Sequence, residues 1–567
     1  WPRMAQAQFA RDAAMAELLR RHHAPRGIVL LAGNGHVRRD IGVPRWLALD
    51  TRQVAARPAF AVLQISALAV GLLALVLLYW SHSTDHQQTK HFGDDQEYLT
   101  VVYSLLRHGS PEFVTGDDAA MLWHLPRSWR KSLVRKFKPA EAPYGYYRAL
   151  DGRYYGWHFF TYPAFVAPMR AALGERYDSY RAHHYFNLIA VSLALLSIFQ
   201  LRERLSLALG LALLAAATPV VWFLPYAHTE PFVFALGLLT ITFYMRERTH
   251  AAVGCTALAA TQFQPLAPIA WFMVAEWLWK HRTALRLQAT RRRMLLRAVA
   301  LVSLACVVFA PGLFYFSRFG TPNLIAREGL ASLSLLSGSK LLWMFLDPNG
   351  GMLAYTPGLL LLTLWAAGRC GLRIARGARD DLWGLGILAC ALFEMYASTC
   401  QRNWNHPTLG VSRYVVYTIA PLLFFLTREL LAKERAWVTG VCVSAALALQ
   451  LVVHVENGYF AYRANDAAHH SRLAKYVLSH WPGLYSPPPE VFCERTLQRC
   501  PLDANANPAG ELYPIIWRDG SGRARKVLTD CNSAHTLERQ TWTPEERATL
   551  ERALAPCTGS TPKYVAL

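Results

Sequence analysis

The stretch His91-Phe-Gly-Asp94-Asp95-Gln-Glu97-Tyr98-Leu-Thr100 places three carboxylates within four positions, soon after the apolar run Ala59 to Trp80. Carboxylates at the edge of a bilayer are costly unless they face water, a cation or a substrate. Transfer of a group to an alcohol needs one carboxylate to take the acceptor's proton, and a second beside it can hold the acceptor or a cation. The stretch is read as a catalytic loop, with Asp94, Asp95, Glu97 and Tyr98 as its candidate site residues. Two adjacent acids at a low-dielectric boundary repel each other, so one pKa is expected to rise and make that group a better base. The competing role for both is capping a helix N-terminus.

The elements that must hold this stretch are membrane helices. Over 567 residues the chain is 53% hydrophobic and carries 18 Trp. That is too apolar for an ordinary soluble enzyme and long enough for about ten spans. The formal charge of +21 does not point to nucleic acid, because Arg and Lys cluster at the ends of apolar runs. Such clusters orient a membrane protein with its basic loops in the cytoplasm.

In chain order, residues 1–56 are not membrane-like and open with no cleavable signal pattern. After Ala59 to Trp80, the loop from about 81 to 180 is read as extracytoplasmic. Within it, Leu99, Val102, Leu105 and Leu106 have helical spacing, which suits a helix lying along the interface. Tyr144, Tyr146, Tyr147, Tyr154, Tyr155, Trp157, Phe159, Phe160 and Tyr162 read as an interfacial aromatic belt in preference to a sugar-stacking platform. From Tyr185 onward, apolar runs alternate with basic knots such as Arg202 to Arg204, Arg246 to Arg248 and Arg291 to Arg293. Ala251 to Lys280 must leave and return within about thirty residues, so two short helices broken near Gln264-Pro265 are expected. Counting that pair, about eleven spans result. The N-terminus then lies inside and everything after Val455 outside.

The tail from 456 to 567 is polar and holds Cys493, Cys500, Cys531 and Cys557. In an oxidising compartment these read as two disulfides, with three pairings open. The remaining cysteines, Cys255, Cys306 and Cys442 among them, are expected to be small core residues. Thr543-Pro-Glu-Glu546 starts a capped helix.

Several segments carry a family resemblance. Gly93-Asp94-Asp95-Gln-Glu97-Tyr98-Leu99 resembles the Gly-Asp-Glu-x-x-Tyr-Leu segment of bacterial GT-C glycosyltransferases, those related to protein mannosyltransferases and aminoarabinose transferases (glycosyltransferase family 39-like), with Asp95 where that pattern prefers Glu. Trp343-Met-Phe-Leu-Asp347-Pro-Asn-Gly-Gly351-Met-Leu-Ala-Tyr-Thr-Pro357 is similar to the family's Phe-Asp-Pro-x-x-Gly-Leu-x-x-Tyr-x-Pro segment. Asn403-Trp404-Asn405 with Ser412-Arg413-Tyr414 resembles its Trp-containing loop ending in Arg-Tyr. At the N-terminus, Arg11 to Glu17 and Ile28 to Pro44, with Gly33-Asn-Gly-His36 inside, resemble the carboxy-terminal end of ChaN-like haem-binding lipoproteins. That segment is read as a remnant, with no haem expected and His36 given no ligand role.

The resemblance implies an all-α polytopic membrane protein of GT-C type, in which Asp94 takes the acceptor's proton, Asp95 beside it positions the acceptor or a cation, and Glu97 and Tyr98 contact substrate. Its parts are the N-terminal segment 1–56, a transmembrane domain over 57–455 with its catalytic loop at about 81–180, and a small extracytoplasmic domain over 456–567. The implied setting is the bacterial inner membrane. The implied activity moves a sugar from a polyprenyl-phosphate donor to an extracytoplasmic lipid, glycan or protein. Membrane lipids are the other expected partner, and nucleic acid is not. Apolar spans would supply the groove for the lipid tail, and Arg318, Arg327, Lys340, Arg402 and Arg413 are cations that can meet its phosphate. His228 and Glu230 share a short outer turn, as a substrate-binding helix-end pair or as ligands of a divalent metal, which the sequence leaves open. The alternative activity is a transporter or flippase of a lipid-linked envelope precursor, which predicts ionisable groups in mid-span and two related halves.

Overall fold

The computed structural model describes residues 93–114, 145–174, 179–198, 200–201, 205–405, 410–431, 436–457, 469–498, 514–531, 537, 540–556 and 562–567. The chain divides into two compact units, Trp1–Leu78 and Tyr79–Leu567, and every described residue belongs to the second. The expected first span, the N-terminal segment and Tyr144 lie outside the described residues.

Helices of eight residues or more are numbered in chain order. The acidic stretch forms α1 (Gly93–His108), with Asp94 and Asp95 in its first turn. Strands β1 (Glu112–Phe113), β2 (Tyr146–Arg148) and β3 (Tyr154–Gly156) make a small antiparallel sheet in the order β1-β3-β2. The bundle follows with α2 (Thr161–Leu173), α3 (Ser179–Ile198), α4 (Leu205–Ala216), α5 (Glu230–Met245), α6 (Thr249–Gln262) and α7 (Ala267–Lys280). It continues with α8 (Gln288–Cys306), α9 (Ala310–Phe319), α10 (Gly338–Leu346), α11 (Pro357–Ala375), α12 (Leu382–Ser398), α13 (Arg413–Leu431) and α14 (Ala436–Glu456).

Three helical segments, Arg291–Phe319, Pro357–Ala375 and Trp437–Glu456, are long and apolar enough to cross a membrane. Leu207–Ala216, Glu230–Met245 and Leu382–Ser398 are apolar but shorter. The expected break at Gln264-Pro265 is present. Phe263 leaves helical geometry at φ −135° and ψ 86°, and a single turn of tighter helix joins α6 to α7. Proline supplies no N–H there to continue the ladder.

The centre of the bundle is α13. From Arg413 to Thr427 every residue is buried, so its apolar character runs all round instead of along one stripe. It packs on α5 and α12, α5 also packs on α3 and α6, and α11 packs on α14. The last pair approaches closely because Gly358 has no side chain, since a Cβ there would sit 2.0 Å from the Ala446 carbonyl oxygen.

Helix direction alternates about two ends. Glu230 and Arg413, the first residues of α5 and α13, meet at one end. At the other, Arg428 donates to Glu276 at 2.7 Å and also bonds Tyr244, while Lys280 pairs with Glu276 at 2.9 Å. Beside them Arg373 joins Asp381 and Glu429. Arg413 and Arg428 are fifteen residues apart on one helix, so the two ends are about 22 Å apart.

The tail folds as α15 (Arg472–His480), α16 (Pro489–Leu497), the sheet β4 (Ile515–Arg518), β5 (Ala524–Thr529) and β6 (Lys563–Ala566), and α17 (Pro544–Leu554). Thr543 and Glu546 form the anticipated reciprocal cap of α17. The tail docks on the Asp347-Pro-Asn-Gly-Gly351 turn. Asp347 accepts the backbone N–H of Asn349 at 2.6 Å and of Gly350 at 3.1 Å, and the Tyr485 hydroxyl donates to Asp347 at 2.7 Å. Asn349 donates to Tyr485 and lies 3.1 Å from the His470 ring, and Ser471 bonds both Pro348 and Asn349. Cys493 and Cys531 each take part in a disulfide, and Cys500 and Cys557 lie outside the described residues. Cys370 is a buried free thiol, but Cys306, expected in the core, is exposed on the outside of the bundle.

Two expectations about the outer loop change. Helix α1 is not an interfacial helix, because Asp95 and Glu97 to Tyr103 are all buried and it packs along α2. The aromatic cluster is not a bare belt either. Tyr155 is buried and, with Ala149, packs against Tyr315, Phe319 and Leu324 to form a small core that braces the sheet on α9.

Candidate active site

At the end of the bundle where α5 and α13 begin, a cavity of about 360 Å³ opens between α1, the β3–α2 junction, the α6–α7 break, the segment after α9 and the α12–α13 loop. Its polar wall includes Asp94, His158, His228, Arg402 and Arg413, and its rings include Tyr98, Trp157, Phe263, Tyr414 and Tyr417. Gln262, Gln264, Asn323, Gln401 and Asn403 add amide groups.

The acidic stretch does not act as one patch, because a helix turns successive side chains about 100° apart. Asp94 faces the cavity, where Arg413 donates to its Oδ2 from Nη1 at 2.6 Å. The same guanidinium donates from Nε to Glu230 at 2.9 Å, so one arginine joins α1, α5 and α13. Asp95 turns away and is fully buried, its Oδ1 2.9 Å from His228 Nε2. The other ring nitrogen of His228 lies 3.5 Å from Glu230. Glu97 is also buried, its Oε1 accepting the backbone N–H of His158 at 2.8 Å and its Oε2 2.6 Å from His158 Nδ1.

Charge follows this geometry. Burial alone would lift the Asp94 carboxyl, but His158, Arg413 and His228 hold it well below the usual carboxylate range. The expected rise from a neighbouring acid does not occur at Asp94. His158, Arg413 and His228 surround it, and Asp95 is paired with His228. Burial opposes the charge of the His228 imidazole, and Asp95 and Glu230 overcome that, pushing it up to about 10. Glu230 is lowered, with Arg413 and His228 outweighing its burial.

The ring walls are ordered by contacts of their own. Tyr98 meets Tyr162 edge-on at 5.6 Å and tilts over His158 at 5.3 Å. Tyr417 stacks on Phe263 at 4.0 Å, and its hydroxyl is 2.7 Å from the Thr229 hydroxyl.

Among the cations expected at a phosphate, the structure separates the candidates. Arg402 lines the cavity, and among the described residues no carboxylate pairs with its guanidinium. Arg413 lines it too but is spent on two carboxylates. Lys340 is not at the cavity, for its ammonium lies 5.3 Å over the Trp404 ring. Arg318 pairs with Asp151 at 2.9 Å, and Arg327 reaches the Phe319 carbonyl. Neither lines the cavity. His228 and Tyr98 stand in its wall, whereas Asp95, Glu97 and Glu230 lie behind it. Among the described residues no group of three or more His, Cys, Asp or Glu is arranged to hold a metal ion.

His158 is hidden in the aromatic run Gly156-Trp-His158-Phe-Phe and has no role assignable from sequence. The available signal was Gly156, a glycine ending a strand. A Cβ there would fall 2.1 Å from Glu97 Oε1, so glycine makes room for a buried carboxylate.

Compared with known proteins, residues 1–47 match the profile of the haem-binding uptake, Tiki superfamily, ChaN family. The match coincides with the N-terminal resemblance and covers none of the described residues. No curated protein and no solved structure matches the chain.

Proposed function

We propose that the chain is an integral-membrane glycosyltransferase of GT-C type, moving a sugar from a polyprenyl-phosphate donor to an acceptor hydroxyl at the outer membrane face. The observation that carries the reading is the cavity itself. A carboxylate in an ion pair, Asp94 with Arg413, shares one aromatic-walled, amide-rich space with a guanidinium that has no carboxylate partner among the described residues, that of Arg402. Rings and amides suit a sugar's apolar faces and hydroxyls, and an unpaired guanidinium suits the phosphate that leaves.

The two-ended bundle supports a topology for this reading. The basic groups Arg428 and Arg373 at one end favour the cytoplasmic side for that end and the outer side for the cavity. With about eleven spans, the N-terminus is cytoplasmic and the tail extracytoplasmic. Residues 1–47 are carried as a remnant and take no part in the reaction.

The test is purified full-length protein in lipid nanodiscs, presented with polyprenyl-phosphate hexoses and pentoses while release of polyprenyl phosphate is followed. Release that disappears in Asp94→Asn, with folding intact, supports the reading. Donor that crosses the bilayer uncleaved supports the transporter instead.

A further inference from the structure

We propose that His158, held through Nδ1 by Glu97, is a catalytic residue of the cavity and takes the acceptor hydroxyl's proton, the role the sequence gives to Asp94. The proposal rests on glycosyl transfer in this cavity and deepens it.

The geometry is that of an imidazole fixed for proton transfer. Glu97 is buried to 1% exposure, and both its oxygens are committed to His158, one to the backbone N–H and one to Nδ1. A carboxylate so placed fixes ring orientation and tautomer and offsets the charge that forms when the ring accepts a proton. Nε2 remains, with no protein partner among the described residues, on a side chain that stays 21% exposed in the cavity wall. Glycines shape the recess, Gly156 directly against Glu97 and Gly145 with its Cβ position 3.4 Å from Glu97 Oε2.

Asp94 is the weaker base of the two. Its Oδ2 is held by Arg413 at 2.6 Å, and the charges of Arg413 and His228, which persist when the His158 ring is neutral, hold its pKa down. The groups facing His158 act in opposite directions. Burial and Arg413 disfavour the imidazolium, Glu97 and Asp94 favour it, and the balance lifts His158 above its ordinary value. A raised imidazole is a stronger base than a free one.

In the transfer, the acceptor oxygen bonds to the anomeric carbon as the bond from that carbon to the phosphate oxygen breaks. The bonding pair leaves on the phosphate, and the acceptor proton passes to His158 Nε2. Glu97 faces the resulting imidazolium. Asp94 stays ionised beside Arg413, where its negative charge can stabilise the positive charge developing on the sugar ring. The proton is then lost to water.

The experiment measures kcat/KM from pH 5 to pH 9 for full-length protein in nanodiscs, with a polyprenyl-phosphate hexose that the wild type turns over. An acid limb above pH 6.5 is expected, because the neutral ring is the active form. His158→Gln should lower turnover by about 10² to 10⁴-fold. Glu97→Gln, checked for folding by its melting curve, should shift the limb to lower pH, and free imidazole should restore part of the rate to His158→Ala. A profile flat down to pH 5, or near wild-type turnover in His158→Gln, overturns the proposal and leaves the transferase reading standing with Asp94 as its base. A wild-type protein that cleaves no lipid-phosphate donor overturns both.

Discussion

Arg413 Nη1 lies 2.6 Å from Asp94 Oδ2, although 319 residues separate them in sequence. The same side chain reaches Glu230, so three helices distant in the chain are tied at the wall of one cavity. A guanidinium can serve two carboxylates through its separate N–H edges, whereas an ammonium presents a single point of charge.

From this comes the first prediction. Arg413→Gln strands two carboxylates, one of them fully buried, and should cost about 3 to 5 kcal/mol. Arg413→Lys keeps the charge and should recover only part of it. Both are read from thermal unfolding in nanodiscs, and a wild-type melting temperature in Arg413→Gln would show that the tie does not hold these helices.

A second prediction concerns Gly156. Its Cβ position lies 2.1 Å from Glu97 Oε1, so Gly156→Ala must displace the carboxylate or the strand, at about 1 to 3 kcal/mol. Gly338→Ala, where nothing lies within 4 Å, is the control and should be neutral. Equal melting temperatures for the two variants would remove the argument for a recess built around Glu97.

How much of this was legible depends on the range of the interactions. Helix α1, the break at Gln264-Pro265 and the cap at Thr543 are set by neighbours in sequence, and the spacing showed them. The types of the site residues were legible too, since Asp94, His228, Arg402 and Arg413 were all singled out and all line the cavity. Their partners were not. The rotation of α1 alone decides that Asp94 meets Arg413 while Asp95 meets His228, and no property of two adjacent acids reveals it. Lys340 misled for the same reason, because only the fold places the Trp404 ring beneath its ammonium.

The third prediction is a pH dependence at the tail. Burial pushes the Asp347 carboxyl up to about 6, against hydrogen bonds from Tyr485, Asn349 and Gly350 that pull it down. An unfolded Asp titrates near about 4, so the folded form takes up a proton between those values. The resulting stabilisation, at most roughly 3 kcal/mol, is fully present below about pH 4 and is lost as pH rises through 6. Protection factors for amide exchange in β5, corrected for the intrinsic rate at each pH, should be larger at pH 5 than at pH 8. Tyr485→Phe removes a bond to the ionised form, which should move the midpoint upward and cost about 1 kcal/mol. An unmoved midpoint would detach Asp347 from the docking of the tail.

The final prediction separates two cations that sequence alone could not rank. Arg402 stands in the cavity wall with no carboxylate to neutralise it among the described residues, whereas Lys340 lies over Trp404 outside the cavity. A guanidinium that meets a lipid phosphate contributes charge-assisted hydrogen bonds worth roughly 1.5 to 3 kcal/mol. Arg402→Gln should therefore raise the KM for a polyprenyl-phosphate sugar by about 10- to 100-fold. Its melting temperature should stay near wild type, because among the described residues Arg402 makes no ion pair to break. Lys340→Gln should leave KM unchanged and lose only the contact with the ring, about 0.5 to 1 kcal/mol. Donor binding measured by displacement of a labelled polyprenyl phosphate distinguishes the two without requiring turnover. If Lys340→Gln weakens that binding and Arg402→Gln does not, the phosphate lies on the Trp404 side and the cavity is not its site.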